Sequence, residues 1–104
     1  MTVAELPIRI DRDKIAEFCR ARGIRKLSLY GSVLRDDFDR ERSDVDMLVE
    51  FEPDRRISLF DFVGYQLELT DLLGREVQLA EPYCLSRYYR DEVLREAKPI
   101  YERT

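Results

Sequence analysis

Two acidic residues that flank a single valine stand at the start of an apolar run. Asp44 and Asp46 are separated by Val45, and the hydrophobic residues 47–49 follow directly. Side chains two positions apart in a β-strand point to the same face, so this spacing predicts two adjacent carboxylates at the mouth of a strand. Such a pair can hold Mg²⁺, which takes oxygen ligands and usually keeps some water or phosphate oxygens.

A glycine and a serine supply the other half of the pattern. Gly31 and Ser32 follow residues 25–30, a short alternating segment typical of a strand. Glycine lets the backbone approach a phosphate closely, and the serine hydroxyl and nearby amides can donate to phosphate oxygens. If the Gly31 end of this strand lies beside the Asp44 end of the next, the two strands run antiparallel. Phosphate donors then face metal-binding acids, as transfer from a nucleotide requires.

Neither half of this pattern is specific alone. Other acid-x-acid pairs occur in the chain, such as Asp37 with Asp39, and most such pairs are solvated turns. An isolated Gly-Ser is usually an ordinary turn as well. The interpretation therefore depends on the order of the features: Gly-Ser directly after a strand, a short spacer, and Asp-x-Asp at the opening of the next strand.

Composition removes several other kinds of chemistry. The 104 residues include no His and two Cys, which excludes histidine catalysis, a disulfide framework and a four-ligand cysteine site for zinc. The net charge of −4 gives little reason to expect direct nucleic-acid or membrane binding. No apolar run approaches the ~18 residues of a membrane span, and the N-terminus does not resemble a secretory signal. We therefore expect a cytoplasmic protein, folded as a single domain over residues 1–104, with reduced cysteines.

The local patterns predict an α/β domain with a small mixed three-stranded sheet flanked by helices. Strands are expected over residues 25–30, 45–51 and 76–80, and helices over residues 12–22, 57–73 and 87–97. Residues 33–43 are expected to form a loop with a short helical turn. The predicted caps and stops are Asp11, Gly23, Gly74, Ser86 and Pro99. Cys19 lies on the apolar face of the first helix and is expected to be a core thiol.

The helix predicted over residues 57–73 is apolar on two sides. One side carries Leu59, Phe60, Val63 and Leu67, and the other carries Phe62, Tyr65, Leu69, Leu72 and Leu73. Such a helix must be buried twice, by its own fold or by a partner. Burial under the first and last helices is the favoured explanation, and a partner surface is the alternative.

These motifs resemble a known family. Residues 31–35 (Gly-Ser-Val-Leu-Arg) and 43–51 (Ser-Asp-Val-Asp-Met-Leu-Val-Glu-Phe) are similar to the minimal nucleotidyltransferases (MNT) of the DNA polymerase β superfamily. The likeness continues through residues 73–79 and 100–102. It implies that Gly31 and Ser32 bind a nucleotide triphosphate and that Asp44 and Asp46 are catalytic ligands of Mg²⁺. It leaves open whether Arg35 steadies phosphates or pairs with a neighbouring aspartate.

The resemblance also implies a partner and a reaction. Small stand-alone members, the MntA-like proteins, are commonly the antitoxin of a HEPN/MNT toxin–antitoxin pair. They transfer AMP from ATP to a tyrosine of the HEPN toxin. The sequence leaves a homo-oligomer and a hetero-oligomer both open. A related enzyme that modifies another acceptor is a further hypothesis, although this short acidic chain makes a nucleic-acid acceptor a poor fit.

One position departs from the family pattern. The family has a third carboxylate where this chain has Gln78. An amide oxygen can contact a metal or nucleotide, but it cannot accept a hydroxyl proton as a carboxylate does, and losing such a group costs ~10²–10⁴ in rate. Glu76, two residues or ~6.6 Å away along the strand, is a possible substitute. The alternative hypothesis is therefore a weakened or inactive nucleotidyltransferase fold that neutralises a toxin by binding alone.

Overall fold

The computed structural model describes residues 10–34 and 44–103 of the chain. Seven helices and strands lie in these residues. In chain order these are α1 (Arg12–Ala21), β1 (Ile24–Tyr30), β2 (Val45–Phe51), α2 (Leu59–Leu73), β3 (Val77–Ala80), α3 (Arg90–Glu96) and β4 (Lys98–Glu102). Two 3-10 turns, Gly31–Leu34 and Pro82–Cys84, connect them. Arg35, the side chain of Ser32 and most of the predicted loop at 33–43 lie outside the described residues.

The strands form one mixed sheet in the order β3-β2-β1-β4. β1 runs antiparallel to both β2 and β4, and β2 runs parallel to β3. The α/β class, the mixed sheet and the antiparallel β1–β2 pair are confirmed, but the count of three strands was wrong. β4 contains Pro99, which the sequence pattern predicts only as a helix stop. Proline is tolerated on an edge strand such as β4 because the outer N–H has no partner to lose.

Capping residues fix the ends of the first two helices. The Asp11 carboxylate accepts hydrogen bonds from the backbone N–H groups of Asp13 and Lys14, at 3.1 and 3.2 Å. α2 begins two residues later than predicted because Ser58 and Asp61 form a reciprocal capping box. Gly74 ends α2 in the left-handed conformation, at φ +71°.

The last helix is shorter than predicted. The carbonyl of Ser86 accepts hydrogen bonds from the N–H groups of Tyr89 and Arg90, so residues 87–89 form a turn and α3 begins at Arg90. Tyr89, and not Ser86, occupies the N-cap. Ser86 therefore initiates the turn before the helix instead of capping the helix.

The main core lies between one face of the sheet and helices α1 and α2. Side chains with no measurable exposure include Ile15, Leu27, Leu29, Val45, Met47, Val49, Leu69 and Val77. Cys19 is fully buried among them, as predicted, and burial raises the pKa of its thiol to about 12. One sheet face is thus committed to this core, and on the other face the cross-strand pair Ser28 and Leu48 is buried as well, each 3% exposed.

A charged clamp joins α1 to α2 at the edge of this core. Arg22 donates to both carboxylate oxygens of Glu68, at 2.7 and 3.1 Å. The guanidinium also lies 4.1 Å from the centre of the Phe18 ring. The hydrogen bond to Glu68 raises the pKa of Arg22, and the same bond lowers the pKa of Glu68.

The outer side of α2 is exposed, contrary to the favoured expectation. Leu69 is its one fully buried residue, and Phe62, Tyr65 and Leu73 pack against the core from the same side. Leu59, Phe60, Val63 and Leu67 are exposed. α1 reaches α2 along the other side, through Arg22, so the first and last helices do not cover this stripe. Within the described residues, no helix is long and apolar enough to cross a membrane.

Candidate active site

Asp44 and Asp46 lie on the side of β2 opposite to the core. Val45 and Met47, which alternate with them, are fully buried, whereas Asp46 is half-buried and Asp44 is exposed. The backbone N–H of Val45 donates to the carbonyl of Glu76 at 2.9 Å and holds the start of the strand against β3. The structure therefore brings both acids to one side of the sheet, as their spacing predicts.

The Gly31 corner touches the second of these acids. Gly31 ends β1 with φ +77°, a conformation that L side chains rarely adopt. A Cβ placed on Gly31 would lie 2.6 Å from Oδ2 of Asp46, closer than real contacts allow. Glycine is thus required here twice, for the turn of the backbone and for the space that the carboxylate occupies. The chain leaves the strand directly into the 3-10 turn that contains Ser32.

Gln78 on β3 extends the group of polar side chains that begins with Asp44 and Asp46 on β2. It pairs with Asp46 in the parallel β2–β3 register, and it is exposed between the buried residues Val77 and Leu79. Its Nε2 donates to Oδ2 of Asp44 at 3.4 Å. The amide therefore contacts the first acid while lying beside the second. The position that the resemblance identified is in the site, with an amide in place of a carboxylate.

Tyr30 is a further neighbour of Asp46, and no motif in the sequence singles it out. It is the cross-strand partner of Asp46 in the β1–β2 register, so the two side chains share a face. Burial, the charge of Asp46 and the proximity of Tyr89 together raise the pKa of the Tyr30 hydroxyl. The one feature of the sequence that points to Tyr30 is its place as the last residue of β1, directly before Gly31.

Glu76 has a different role in the structure from that of Gln78. It precedes β3, is exposed, and contacts β2 through its backbone carbonyl. Over residues 10–34 and 44–103, no group of three or more His, Cys, Asp or Glu side chains is placed to hold a metal ion. Glu76 therefore does not join Asp44 and Asp46 in a three-carboxylate cluster.

The donor set nevertheless suits a magnesium ion. Asp44 and Asp46 offer carboxylate oxygens, and the Gln78 amide can contribute its carbonyl oxygen next to them. Mg²⁺ is commonly held by one or two protein carboxylates together with water and substrate phosphates. Gly31, bare of a side chain, gives phosphates access to the backbone beside the same carboxylate.

Comparison with known proteins gives the family to which this sheet, with its paired acids beside a glycine corner, belongs. Residues 12–101 match the family described as the nucleotidyltransferase domain, so the chain belongs to that family. Two relatives extend the match. A Methanocaldococcus jannaschii protein named as a candidate protein adenylyltransferase is 34% identical over 84% of this chain and 90% of its own length. The protein adenylyltransferase MntA of Thermococcus cleftensis is 38% identical over 71% of this chain and 72% of its own.

Solved structures agree with the fold. A structure described as a minimal nucleotidyltransferase is 38% identical, with a TM-score of 0.69 over 85% of this chain and 87% of its own. A complex of AMPylated Shewanella oneidensis HEPN toxin with its MNT antitoxin aligns with a TM-score of 0.62, over 88% of this chain and 70% of the matched chain. At 17% identity, that second likeness concerns the fold alone.

Proposed function

We propose that this protein is a protein adenylyltransferase that transfers AMP from ATP to a tyrosine hydroxyl of a HEPN toxin. The observation that carries the proposal is the close approach of Gly31 and Asp46, with Asp44 alongside on the same side of the sheet. In the reaction, the tyrosine oxygen bonds to the α-phosphorus of ATP and the bond from that phosphorus to pyrophosphate breaks. The tyrosine proton passes to a base or to solvent.

Each site residue has a proposed task. Gly31 and Ser32 would bind the triphosphate through backbone amides and the serine hydroxyl, with Arg35 as a further candidate for a phosphate contact. Asp44 and Asp46 would hold Mg²⁺, whose charge supports departure of pyrophosphate. Gln78 orients Asp44 through its 3.4 Å hydrogen bond. Asp46 or solvent would take the proton for which the family pattern has a third carboxylate, because Glu76 does not join the two acids.

The choice of acceptor is supported by the relatives. Two of them bear names that include protein adenylyltransferase, and one of those is called MntA. The antitoxin of similar fold from Shewanella oneidensis was solved with its AMPylated HEPN toxin. A cytoplasmic location and reduced cysteines are consistent with such a pair.

A second candidate function is neutralisation by binding alone. It is favoured by one observation, the amide at position 78 in place of a carboxylate. In that case the protein binds the toxin with equal affinity whether or not nucleotide is present. The described fold accommodates both candidates, because each needs only a stable sheet and a partner surface.

The test is incubation of the protein with labelled ATP, Mg²⁺ and a purified HEPN toxin. Label on a toxin tyrosine, lost in Asp44→Asn and kept in the surface control Asp13→Asn, is the expected result. Absence of label, together with toxin inhibition that Asp44→Asn leaves unchanged, would establish neutralisation by binding alone. Calorimetry with and without ATP measures the binding itself and separates the two functions independently.

A further inference from the structure

The chain between β3 and β4 crosses the side of the sheet that carries Asp44 and Asp46. β3 and β4 run in the same direction at opposite edges of the sheet, so the β3–β4 connection, residues 81–97, passes over β2 and β1. α2 joins β2 to β3 in the opposite direction across the sheet, on the core face. Right-handed crossovers in opposite directions place their helices on opposite faces, so α3 lies on the face of the two aspartates.

Side chains of the β3–β4 connection reach that face. Arg90 of α3 lines a groove together with Glu50, which follows Asp46 by four residues along β2 and so shares its side. In the middle of the same face, the pair Ser28 and Leu48 is buried. Their burial agrees with a cover at this point of the sheet.

Hydrogen bonds hold the first half of the β3–β4 connection in place. The Arg90 guanidinium donates to the carbonyls of Tyr83 and Leu85, at 3.3 and 2.8 Å. The Ser86 carbonyl accepts from the backbone N–H groups of Tyr89 and Arg90, at 3.2 and 2.9 Å. Tyr89 therefore has a fixed place at the start of α3.

The Tyr89 side chain lies near the candidate active site and has no structural task in the described residues. Burial, the charge of Asp46 and the nearby Tyr89 hydroxyl raise the pKa of Tyr30, which is the cross-strand partner of Asp46. Tyr89 is 49% exposed and occupies the N-cap of α3 without a side-chain cap hydrogen bond. Serine, threonine, aspartate and asparagine are the residues that stabilise this position, so the helix does not require a tyrosine there.

We propose that Tyr89 is an acceptor for the protein's own reaction, in which the chain transfers AMP from ATP to Tyr89 of the same molecule. This rests on the adenylyl transfer proposed for the site, whose acceptor is likewise a tyrosine hydroxyl. The phenolic oxygen of Tyr89 bonds to the α-phosphorus of ATP, and the bond from that phosphorus to pyrophosphate breaks. The hydroxyl proton passes to solvent. A side chain held in the same molecule has a high effective concentration at the site, which favours this transfer.

Exposure alone would select a different tyrosine. Tyr83 belongs to the same connection and is 86% exposed, compared with 49% for Tyr89. Tyr83 lines the groove beside Glu50. Glu50 lies six residues after Asp44 on β2, which is roughly 20 Å along the strand. We therefore expect AMP on Tyr89 and none on Tyr83.

The test is incubation of the purified full chain with labelled ATP and Mg²⁺, first alone and then with a HEPN toxin. Intact-mass spectrometry should show one added AMP on the chain, and peptide mapping should place it on Tyr89. Tyr89→Phe should lose this label, Tyr83→Phe should keep it, and Asp44→Asn should lose it because the site is impaired. Thermal melting verifies that each variant is folded. Because the transfer is intramolecular, the fraction labelled at a given time should not change on roughly 100-fold dilution.

The two acceptors separate this proposal from the proposed function. Label on the toxin without label on the chain would overturn self-adenylylation and leave the proposed function intact. Label on Tyr89 without label on the toxin would support self-adenylylation and remove the toxin as the acceptor. Label on a different tyrosine of the chain, or a rate per chain that rises in proportion to protein concentration, would also overturn transfer to Tyr89 within one molecule.

Discussion

Replacing Gly31 by alanine should separate the cost of an unusual backbone conformation from the cost of moving a catalytic acid. Gly31 has φ +77°, and Gly74 has φ +71°. An L residue in this region costs about 1–2 kcal/mol, so Gly31→Ala and Gly74→Ala should lose similar stability. At about 4–8 °C per kcal/mol for a domain of this size, both melting temperatures should fall by roughly 4–16 °C.

The two variants should differ in activity. A Cβ on Gly74 meets nothing within 4 Å, whereas a Cβ on Gly31 lies 2.6 Å from Asp46 Oδ2, which is 0.8 Å short of the 3.4 Å at which ordinary contact begins. The Asp46 carboxylate must therefore move by most of that shortfall. A misplacement of about 1 Å at a reacting centre costs roughly 10²-fold in rate. Gly31→Ala should lose about two orders of magnitude in adenylyl transfer, and Gly74→Ala should stay close to wild type.

The assay is transfer of label from ATP to the toxin at a temperature well below both melting transitions. Thermal denaturation of the same samples supplies the stability comparison. If both variants kept activity within about threefold of wild type, the carboxylate would not need its position against Gly31, and the expected effect of misplacement would be wrong. Equal losses in both variants would instead mean that stability alone governs activity.

Three further predictions concern the amide at position 78, the Arg22–Glu68 clamp and the thiols. Gln78→Asp restores a carboxylate beside Asp46 and should raise transfer by roughly 10- to 10³-fold, whereas an unchanged rate would remove position 78 from the site. Glu68→Gln should destabilise the fold by at most ~1 kcal/mol at neutral pH, because its partner Arg22 and Glu68 itself are partly exposed. The clamp lowers the pKa of Glu68, so its stabilisation is present above the ordinary glutamate pKa and is lost as pH falls through the lowered value; melting curves of both proteins should converge in acid. Cys84 is exposed and Cys19 is buried with a pKa of about 12, so thiol reagents should label Cys84 at least ~10²-fold faster, as peptide mass spectrometry can measure.

The parts of the fold that follow local rules were predictable from sequence. Asp11 before an apolar periodicity marks the start of α1, and the mostly apolar run 45–51, closed by Glu52, Pro53 and Asp54, predicts the bounds of β2 as the structure has them. Strand geometry puts positions i and i+2 on one side, and the order of Gly-Ser, spacer and Asp-x-Asp is what singles out Asp44 and Asp46 from the other acid pairs. β4 was missed because five residues that include Pro99 form a strand only through pairing with β1, which no local pattern encodes.

The neighbours of the candidate site were less predictable than the acids. Tyr30 and Gln78 reach Asp46 through the registers of two different strand pairs, and a register depends on contacts far apart in the chain. The burial of α2 was also misjudged. Its two apolar sides were evident, but whether the second side meets this fold or another molecule depends on where the other helices pack.

The direction in which the Asp46 carboxylate points is set by the buried residues of the same strand. Val45, Met47 and Val49 anchor one side of β2, and their fixed period of two is what turns Asp46 to the other. Conservative exchanges among aliphatic residues at those anchors would leave the acid where it is. Loss or gain of a single residue within β2 would turn the acid inward and a methyl-bearing side chain outward. Evolution can therefore exchange one aliphatic residue for another in the interior of β2, but it cannot change the number of residues in that strand without losing the orientation of Asp46.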